Sequence, residues 1–346
     1  MTKRAVVLFN LGGPTDLKAV RPFLFNLFND PYIIQLPRIL RFLVAKLISW
    51  RRTPTAQGIY REMGGRSPIV QQTTAQAVAL EKQLGSNYKV FSVMRYWHPR
   101  AEEVLEQVRA YQPEEVILLP LYPQYSTTTS LSSLHEWADV QKWASQDSWQ
   151  TRVIKSYPTL DGLISFYVAA IQAKLRLVSD LSNCRVLFSA HGLPEKIIAQ
   201  GDPYQKQILE TARAIQEKLP KEPDYLVTYQ SRVGPLKWLD PYTDHEITRA
   251  GKQGKDLVIV PLAFVSEHSE TLVELDIEYR DLAIESGAHS YHRVATPQDD
   301  PLFIQGLARL VREKEITQTF ESGCYPCLQM KCPRQLVSPK VCCLSR

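Results

Sequence analysis

Five of the six cysteines in this 346-residue chain are confined to its last 23 residues, so no disulfide framework spans the body of the protein. No run is both long and free of charge. The most apolar stretch, residues 33–50, is broken by Gln35, Pro37, Arg38, Arg41 and Lys46, which excludes a spanning helix and leaves a segment able to lie on a bilayer. Blocks of like charge are absent too. With 41 basic residues against 36 acidic ones, the net charge of +5 is too small and too dispersed for a nucleic-acid arm, and no nucleic-acid partner is expected. Residues 1–10 run directly into an apolar strand pattern, so no leader is expected and the protein should sit in the cytoplasm.

At this length the chain can bury a sizeable core, and the length prior favours about two domains. Apolar runs at 5–9, 89–93, 116–119, 186–188, 225–228 and 257–260 read as buried strands. Helix-period segments fall at 75–84, 101–111, 160–177, 203–219, 271–285 and 301–315. This alternation predicts a parallel α/β architecture. Three segments also echo one another in order: VVLFNLGGP (6–14) with VLFSAHGLP (186–194), VFSVMRYWHP (90–99) with YLVTYQSRVGP (225–235), and VILLPLYPQYSTTTS (116–130) with LVIVPLAFVSEHSET (257–271). Two similar Rossmann-like halves are therefore expected, each a parallel sheet flanked by helices, with a cleft between them as the default site. Duplication would account for the echo, with the rhythm shared by all parallel-sheet domains as the alternative.

The sharpest chemical feature is SEHSETLVELDIEYRD, where Glu267, Glu270, Glu274, Glu278 and Asp281 follow spacings of three, four, four and three. On an α-helix all five share one face, with Leu272, Leu275, Tyr279 and Leu282 opposite. Like charges four apart repel by a few tenths of a kcal/mol per pair, so such a ladder calls for a cation, protons or plain solvent. The first acids follow a strand directly, beside His268, at the end of the sheet where ligands gather. His191, in LFSAHGLP, also stands just beyond a strand, where a neutral imidazole can take a proton or ligate a transition metal. Alone it reads as readily as a structural histidine.

Those two segments, together with FNLGGP (9–14), RRTP (51–54), YREMGGRSPI (60–69), RYWHP (95–99) and YPQYS (122–126), give the chain a resemblance to the ferrochelatase family over most of its length. The resemblance implies a chelatase-like fold and a lyase that inserts Fe²⁺ into protoporphyrin IX, the terminal step of haem biosynthesis. Residue by residue, it implies that His191 and Glu270 contact the metal and the macrocycle. Glu274 and Glu278 would then pass cations or protons, Arg52, Tyr60 and Ser67 would bind the porphyrin, and Leu11, Arg95 and Tyr96 would line its pocket. Arg66 stands where relatives often carry glycine, which separates the local propionate contacts from the family pattern. Coproporphyrin, with more propionates, is the alternative substrate, and the apolar 33–52 lip argues for protoporphyrin.

In that lip Ile34, Leu36, Ile39, Leu40, Phe42, Leu43, Leu47 and Ile48 interleave with basic residues, which suits the inner face of a cell membrane and a mobile cover over the porphyrin. An amphipathic helix covering the core is the alternative. The expected organisation is an N-terminal α/β domain at 1–157 carrying the lip, a C-terminal α/β domain at 158–300 carrying the metal site, and a closing helix with a cysteine-rich tail at 301–346. Cys324, Cys327 and Cys332 form C-x2-C-x4-C, and resemble the carboxyl-terminal cysteines that hold a [2Fe–2S] cluster in some family members. The fourth ligand of that pattern would fall at Phe166, so Cys343 is assigned instead, with Cys342 and Cys184 as alternatives and zinc as the competing metal. Monomer and homodimer both stay open.

Overall fold

A computed structural model describes residues 2–142, 147–313 and 318–320 of the chain. The described residues divide into two compact units, one of those up to 157 with those from 307 onward and the other of residues 158–306.

The first unit carries β1 (Arg4–Asn10), α1 (Val20–Phe28), α2 (Arg38–Glu62), α3 (Ile69–Leu84), β2 (Tyr88–Met94), α4 (Ala101–Tyr111) and β3 (Glu115–Pro120). A π-helical turn, Thr127–Leu131, then leads into α5 (Ser132–Lys142) and β4 (Gln150–Val153). The second unit begins with α6 (Asp161–Leu175), followed by β5 (Cys184–His191), α7 (Glu195–Ala199), α8 (Tyr204–Gln216), β6 (Asp224–Gln230), α9 (Thr243–Lys252) and β7 (Asp256–Pro261). A nine-residue π-helix, Glu270–Glu278, continues into α10 (Tyr279–Glu285) and β8 (Ser290–Arg293). Helix α11 (Pro301–Arg312) and β9 (Gln318–Phe320) close the described chain.

The first sheet has the order β2-β1-β3-β4-β9 and the second β6-β5-β7-β8. All pairings are parallel except that of β9 with β4. Removing β9 leaves one strand order used twice, and a π-helical segment follows the third strand in both. The three sequence echoes fall on β1 with β5, β2 with β6, and β3 with β7, so the expected pair of similar α/β halves is what forms. The apolar runs become strands because helices cover both faces of each sheet, a burial that only near-continuous Val, Ile and Leu satisfies. Residues 5–9 and 257–260 are at most 1 % exposed. On one face of the first sheet Val7, Phe9 and Leu118 pack against Val104, Leu105 and Trp137. The second sheet presents Leu187, Leu257 and Ile259 to Ile247, Leu275 and Ala283.

Strands β4 and β8 carry no apolar run, only QTRV and SYHR, and so lack the pattern that marks the other strands. The segment at 33–52 is helical from Arg38 onward, and of its apolar side chains only Ala45 is fully buried. Of fifteen exposed large hydrophobic residues among the described residues, eight lie between Ile33 and Trp50, including Ile39 at 77 % and Leu43 at 55 % exposure. No helix among the described residues is long and apolar enough to cross a membrane.

Candidate active site

Side chains alternate along a strand, so His191 at the end of β5 points to the same face as Leu187 and Ser189, the face on which the π-helix packs. Gly192 follows because the backbone turns tightly there: a Cβ would lie 3.0 Å from the Gln230 carbonyl and 3.2 Å from the Trp238 ring. Tyr204 donates its hydroxyl to the His191 carbonyl at 2.9 Å, and the Trp238 ring meets the imidazole edge-on at 6.4 Å. Strand end, tyrosine and indole thus fix the imidazole before any partner arrives.

Its partner comes from the first residue of the π-helix. Glu270 Oε2 lies 2.9 Å from His191 Nδ1, which orients the ring and leaves Nε2 for a proton or a metal ion. About a third of each side chain stays exposed, at 36 % and 30 %. One turn on, Glu274 accepts hydrogen bonds from Ser231 Oγ (2.6 Å), the Ser231 backbone N–H (3.0 Å), Tyr279 Oη (2.9 Å) and Gln230 Nε2 (3.2 Å). Ser231 Oγ also reaches Glu270 Oε2 at 3.3 Å and so joins the two carboxylates. To do this Ser231 adopts φ +63°, a left-handed conformation that serine rarely takes outside functional or strained positions. Gln230 is buried, accepts from Ser189 Oγ at 2.6 Å and donates to the Glu270 carbonyl at 3.2 Å.

The electrostatics divide the acids. Burial alone disfavours the charged imidazolium, but the Glu270 carboxylate more than offsets it and raises the His191 pKa above its ordinary value. Burial likewise works against an ionised Glu270, yet the His191 charge and hydrogen bond win and hold it far below the usual carboxylate range. Glu274 moves the other way: burial and the neighbouring Glu270 charge raise it. The His191–Glu270 contact thus favours the charged form of both partners, while the carboxyl one turn behind is shifted the opposite way. His268, 3.9 Å from Glu270, is pushed down by burial and stays neutral.

The expectation that five acids share one α-helical face does not hold. The segment Glu270–Glu278 is a π-helix, whose wider turn keeps positions four apart nearly in line but throws positions three apart off it. Only Glu270 and Glu274 converge. Glu278 and Asp281 are exposed, and Glu267 lies ahead of the helix, buried against Arg293. Ser231, Gln230 and Arg293 were not expected as site residues. The left-handed backbone at Ser231 leaves no trace in sequence, and Arg293 belongs to a strand that carries no apolar run.

The residues assigned to the porphyrin all lie in the first unit. Leu11, Tyr60 and Tyr96 come together in one apolar cluster with Val20, Phe23 and Leu24. Arg52 is exposed, with its guanidinium 5.9 Å from the Phe28 ring, and Ser67 is buried where a Cβ on Gly13 would meet it at 2.6 Å. Arg95 is largely enclosed. It pairs with Asp30 (3.0 Å) and Glu136 (3.1 Å) and donates to Ser132 Oγ (2.7 Å), while Tyr96, with no exposed surface, donates to Asp30 at 2.7 Å. Arg100 also pairs with Glu136, so two cations meet two carboxylates.

Among the described residues, no group of three or more His, Cys, Asp or Glu side chains forms a closed metal cage. The assigned cluster ligands Cys324, Cys327, Cys332 and Cys343 lie outside the described residues. Cys184 does not suit the missing fourth position: it is buried at the start of β5, and burial beside Asp256 pushes its thiol up to about 12, away from the thiolate a metal needs.

Residues 3–315 match the family model described as ferrochelatase. A ferrochelatase from Pelagibacter ubique is 49 % identical over 337 residues, covering 96 % of both chains. A ferrochelatase from Caulobacter vibrioides is 50 % identical over 329 residues, covering 93 % of this chain and 94 % of its own. Among solved structures, SirB from Bacillus subtilis with Fe³⁺ superposes with a TM-score of 0.50 at 14 % identity, over 90 % of this chain and 95 % of its own. The cobalt complex of the sirohydrochlorin chelatase SirB from Bacillus subtilis subspecies spizizenii gives 0.51 at 13 %, with the same coverages. At such identities these two establish the fold alone.

Proposed function

The chain belongs to the ferrochelatase family and is a metal-chelating lyase of haem biosynthesis, and from that premise we propose that His191 and Glu270 carry the metal and proton chemistry by which Fe²⁺ enters protoporphyrin IX. The observation that carries this assignment is the 2.9 Å contact between His191 Nδ1 and Glu270 Oε2, in a pair left partly open.

Insertion removes two pyrrole protons from the ring and strips water from the ion, so the site must supply both a base and replacement ligands. A metal ligand has to be deprotonated, so iron binding at Nε2 requires any proton there to leave to solvent through the partly open face of the pair. Glu270 offers a hard carboxylate to the same ion. Once the ion has passed to the ring, the freed Nε2 takes up one pyrrole proton, and the hydrogen bonds from Glu270 through the Ser231 hydroxyl to Glu274 offer a relay toward solvent for the other, helped by the upward shift of Glu274. Glu278, exposed at the far end of the π-helix, is the solvent end of this line. Leu11, Arg52, Tyr60, Ser67, Arg95 and Tyr96 serve the porphyrin, Arg95 and Tyr96 by holding the strand end rather than by free side-chain contacts. Anaerobic incubation with Fe²⁺ and protoporphyrin IX should yield haem with the parent chain and almost none with His191→Ala or Glu270→Gln. A parent chain that forms no haem would overturn the reading.

The exposed apolar face of Ile33–Trp50, with its interleaved arginines and lysine, supports peripheral attachment to the cytoplasmic side of a membrane. Leu40→Asp with Leu43→Asp should abolish cosedimentation with vesicles rich in anionic lipid. For the tail, Cys324, Cys327, Cys332 and Cys343 have the donor set for a [2Fe–2S] cluster, which would supply redox sensing or stability but no step of an insertion that transfers no electrons. Its absorption should vanish in Cys327→Ser. Colourless protein with stoichiometric zinc would contradict the cluster.

A further inference from the structure

A π-helix of nine residues needs something outside itself to hold it, because its wide turns are poorly packed and most natural examples are single-turn bulges. Gln230 and Tyr291 bond single carbonyls of it, at Glu270 (3.2 Å) and Leu275 (2.6 Å), but one side chain ties its carboxylate at Asp276 to Glu267 ahead of it. Arg293, the last residue of β8, sends Nε and Nη2 to the two carboxylate oxygens of Asp276, each at 2.6 Å. Its Nη1 reaches both oxygens of Glu267, at 2.9 and 3.0 Å. Glu267 is further held by the Thr296 backbone N–H at 2.9 Å. The guanidinium is 11 % exposed and Glu267 6 %, so that contact is desolvated, whereas Asp276, 35 % exposed, takes the two-pronged contact from Nε and Nη2.

The two carboxylates bracket the reactive acids. Glu267 lies three residues before Glu270, and Asp276 two residues after Glu274. We propose that Arg293 is a positioning residue that clamps both ends of the π-helix and so sets where Glu270 and Glu274 stand. The proposal rests on the reading of His191 and Glu270 as the metal and proton pair.

The first unit provides the internal control. Aligned by strand register and by the repeated segments, Arg293 corresponds to Val153, Glu267 to Ser126 and Asp276 to His135. All three parts of the clamp are missing together. There the π-helical stretch lasts five residues and reverts to the α-helix at Ser132, while Glu270 and Glu274 are replaced by Thr129 and Ser133. The clamp, the long π-helix and the paired acids occur together in one unit and are absent together from the other.

The test compares steady-state and binding measurements on purified full-length Arg293→Lys, Asp276→Asn and, as a charge-matched control, Arg185→Lys, whose guanidinium is as buried but pairs with Asp224 at the opposite end of the sheet. Lysine keeps the charge at 293 but cannot span two carboxylates in a fork. Displacing a reacting group by about an ångström costs up to about a hundredfold in rate, so kcat should fall ten- to a hundredfold in Arg293→Lys. In Asp276→Asn, where one acceptor oxygen remains, the fall should be smaller. KM for protoporphyrin IX and porphyrin fluorescence quenching should match the parent in both. Arg185→Lys should lower the melting temperature with kcat unchanged. Folded Arg293→Lys with kcat within twofold of the parent would overturn the clamp, as would a loss of kcat shared equally by Arg185→Lys. If Arg293→Lys fails to fold, Asp276→Asn decides alone, with unchanged kcat overturning the proposal. Loss of haem formation in Glu270→Gln alongside normal turnover in Arg293→Lys would sink the clamp and leave the assignment of the pair intact.

Discussion

At the end of its central strand the first unit carries Leu11 where the second carries His191, and at the end of the neighbouring strand it carries Arg95 where the second carries Gln230. The backbone plan is the same, strand order included. In the first unit Arg95 and Arg100 match Asp30 and Glu136, so the buried charge is neutralised within the fold and nothing is left to react. The second unit gives two carboxylates only one titratable cation, the imidazole, and leaves the pair a third exposed. Charge that is balanced by arginine builds structure, whereas charge balanced by histidine can be exchanged for a metal ion or a proton.

Breaking each cluster should sharpen that contrast. Arg95→Met leaves Asp30 and Glu136 buried without their shared cation, and urea unfolding should show a loss of about 3–5 kcal/mol. His191→Ala, by contrast, should stay within about 1 kcal/mol of the parent, because its pair is partly solvated. Equal losses in the two variants would erase the distinction between the clusters. An effect smaller than that of Arg95→Met is expected of Gln230→Leu, which removes a buried amide bridging Ser189 and Glu274 and should cost about 1–3 kcal/mol, read by the same unfolding curve. Ser231→Ala should cost about 1 kcal/mol in stability and slow turnover, since it uncouples Glu270 from Glu274.

The pH dependence follows from the opposite shifts within the pair. The Glu270 contribution to stability is present above the unfolded carboxylate pKa of about 4.3 and is lost as pH falls through its lowered folded value. The His191 contribution is complete below about 6.5 and is lost as pH rises through its raised folded value. Stability attributable to the pair should therefore peak in the mildly acidic range. An NMR titration of metal-free protein should place His191 above its ordinary pKa in the parent and below it in Glu270→Gln, where burial acts unopposed. A value that does not move would remove Glu270 as the cause.

The six buried strands were legible because both sheet faces are covered and only continuous apolar runs satisfy that burial. Strands β4 and β8 were not, since QTRV and SYHR hold polar residues whose partners come from distant positions. His191 and Glu270 were legible through their place after strands and through family motifs. The reach of the acid ladder was not, because a π-helix and an α-helix have the same residue spacing on paper. Ser231 was hidden for a related reason: its contribution comes from a left-handed backbone, not from its identity.

If the pair in the second unit does the chemistry while other residues bind and hold, single-turnover haem formation under anaerobic conditions will separate the two roles, with Glu270→Gln beside the parent and each first shown to quench porphyrin fluorescence with equal affinity. Glu270→Gln should retain binding and insert iron at a rate lowered by at least about a hundredfold. Insertion at the parent's rate would contradict it.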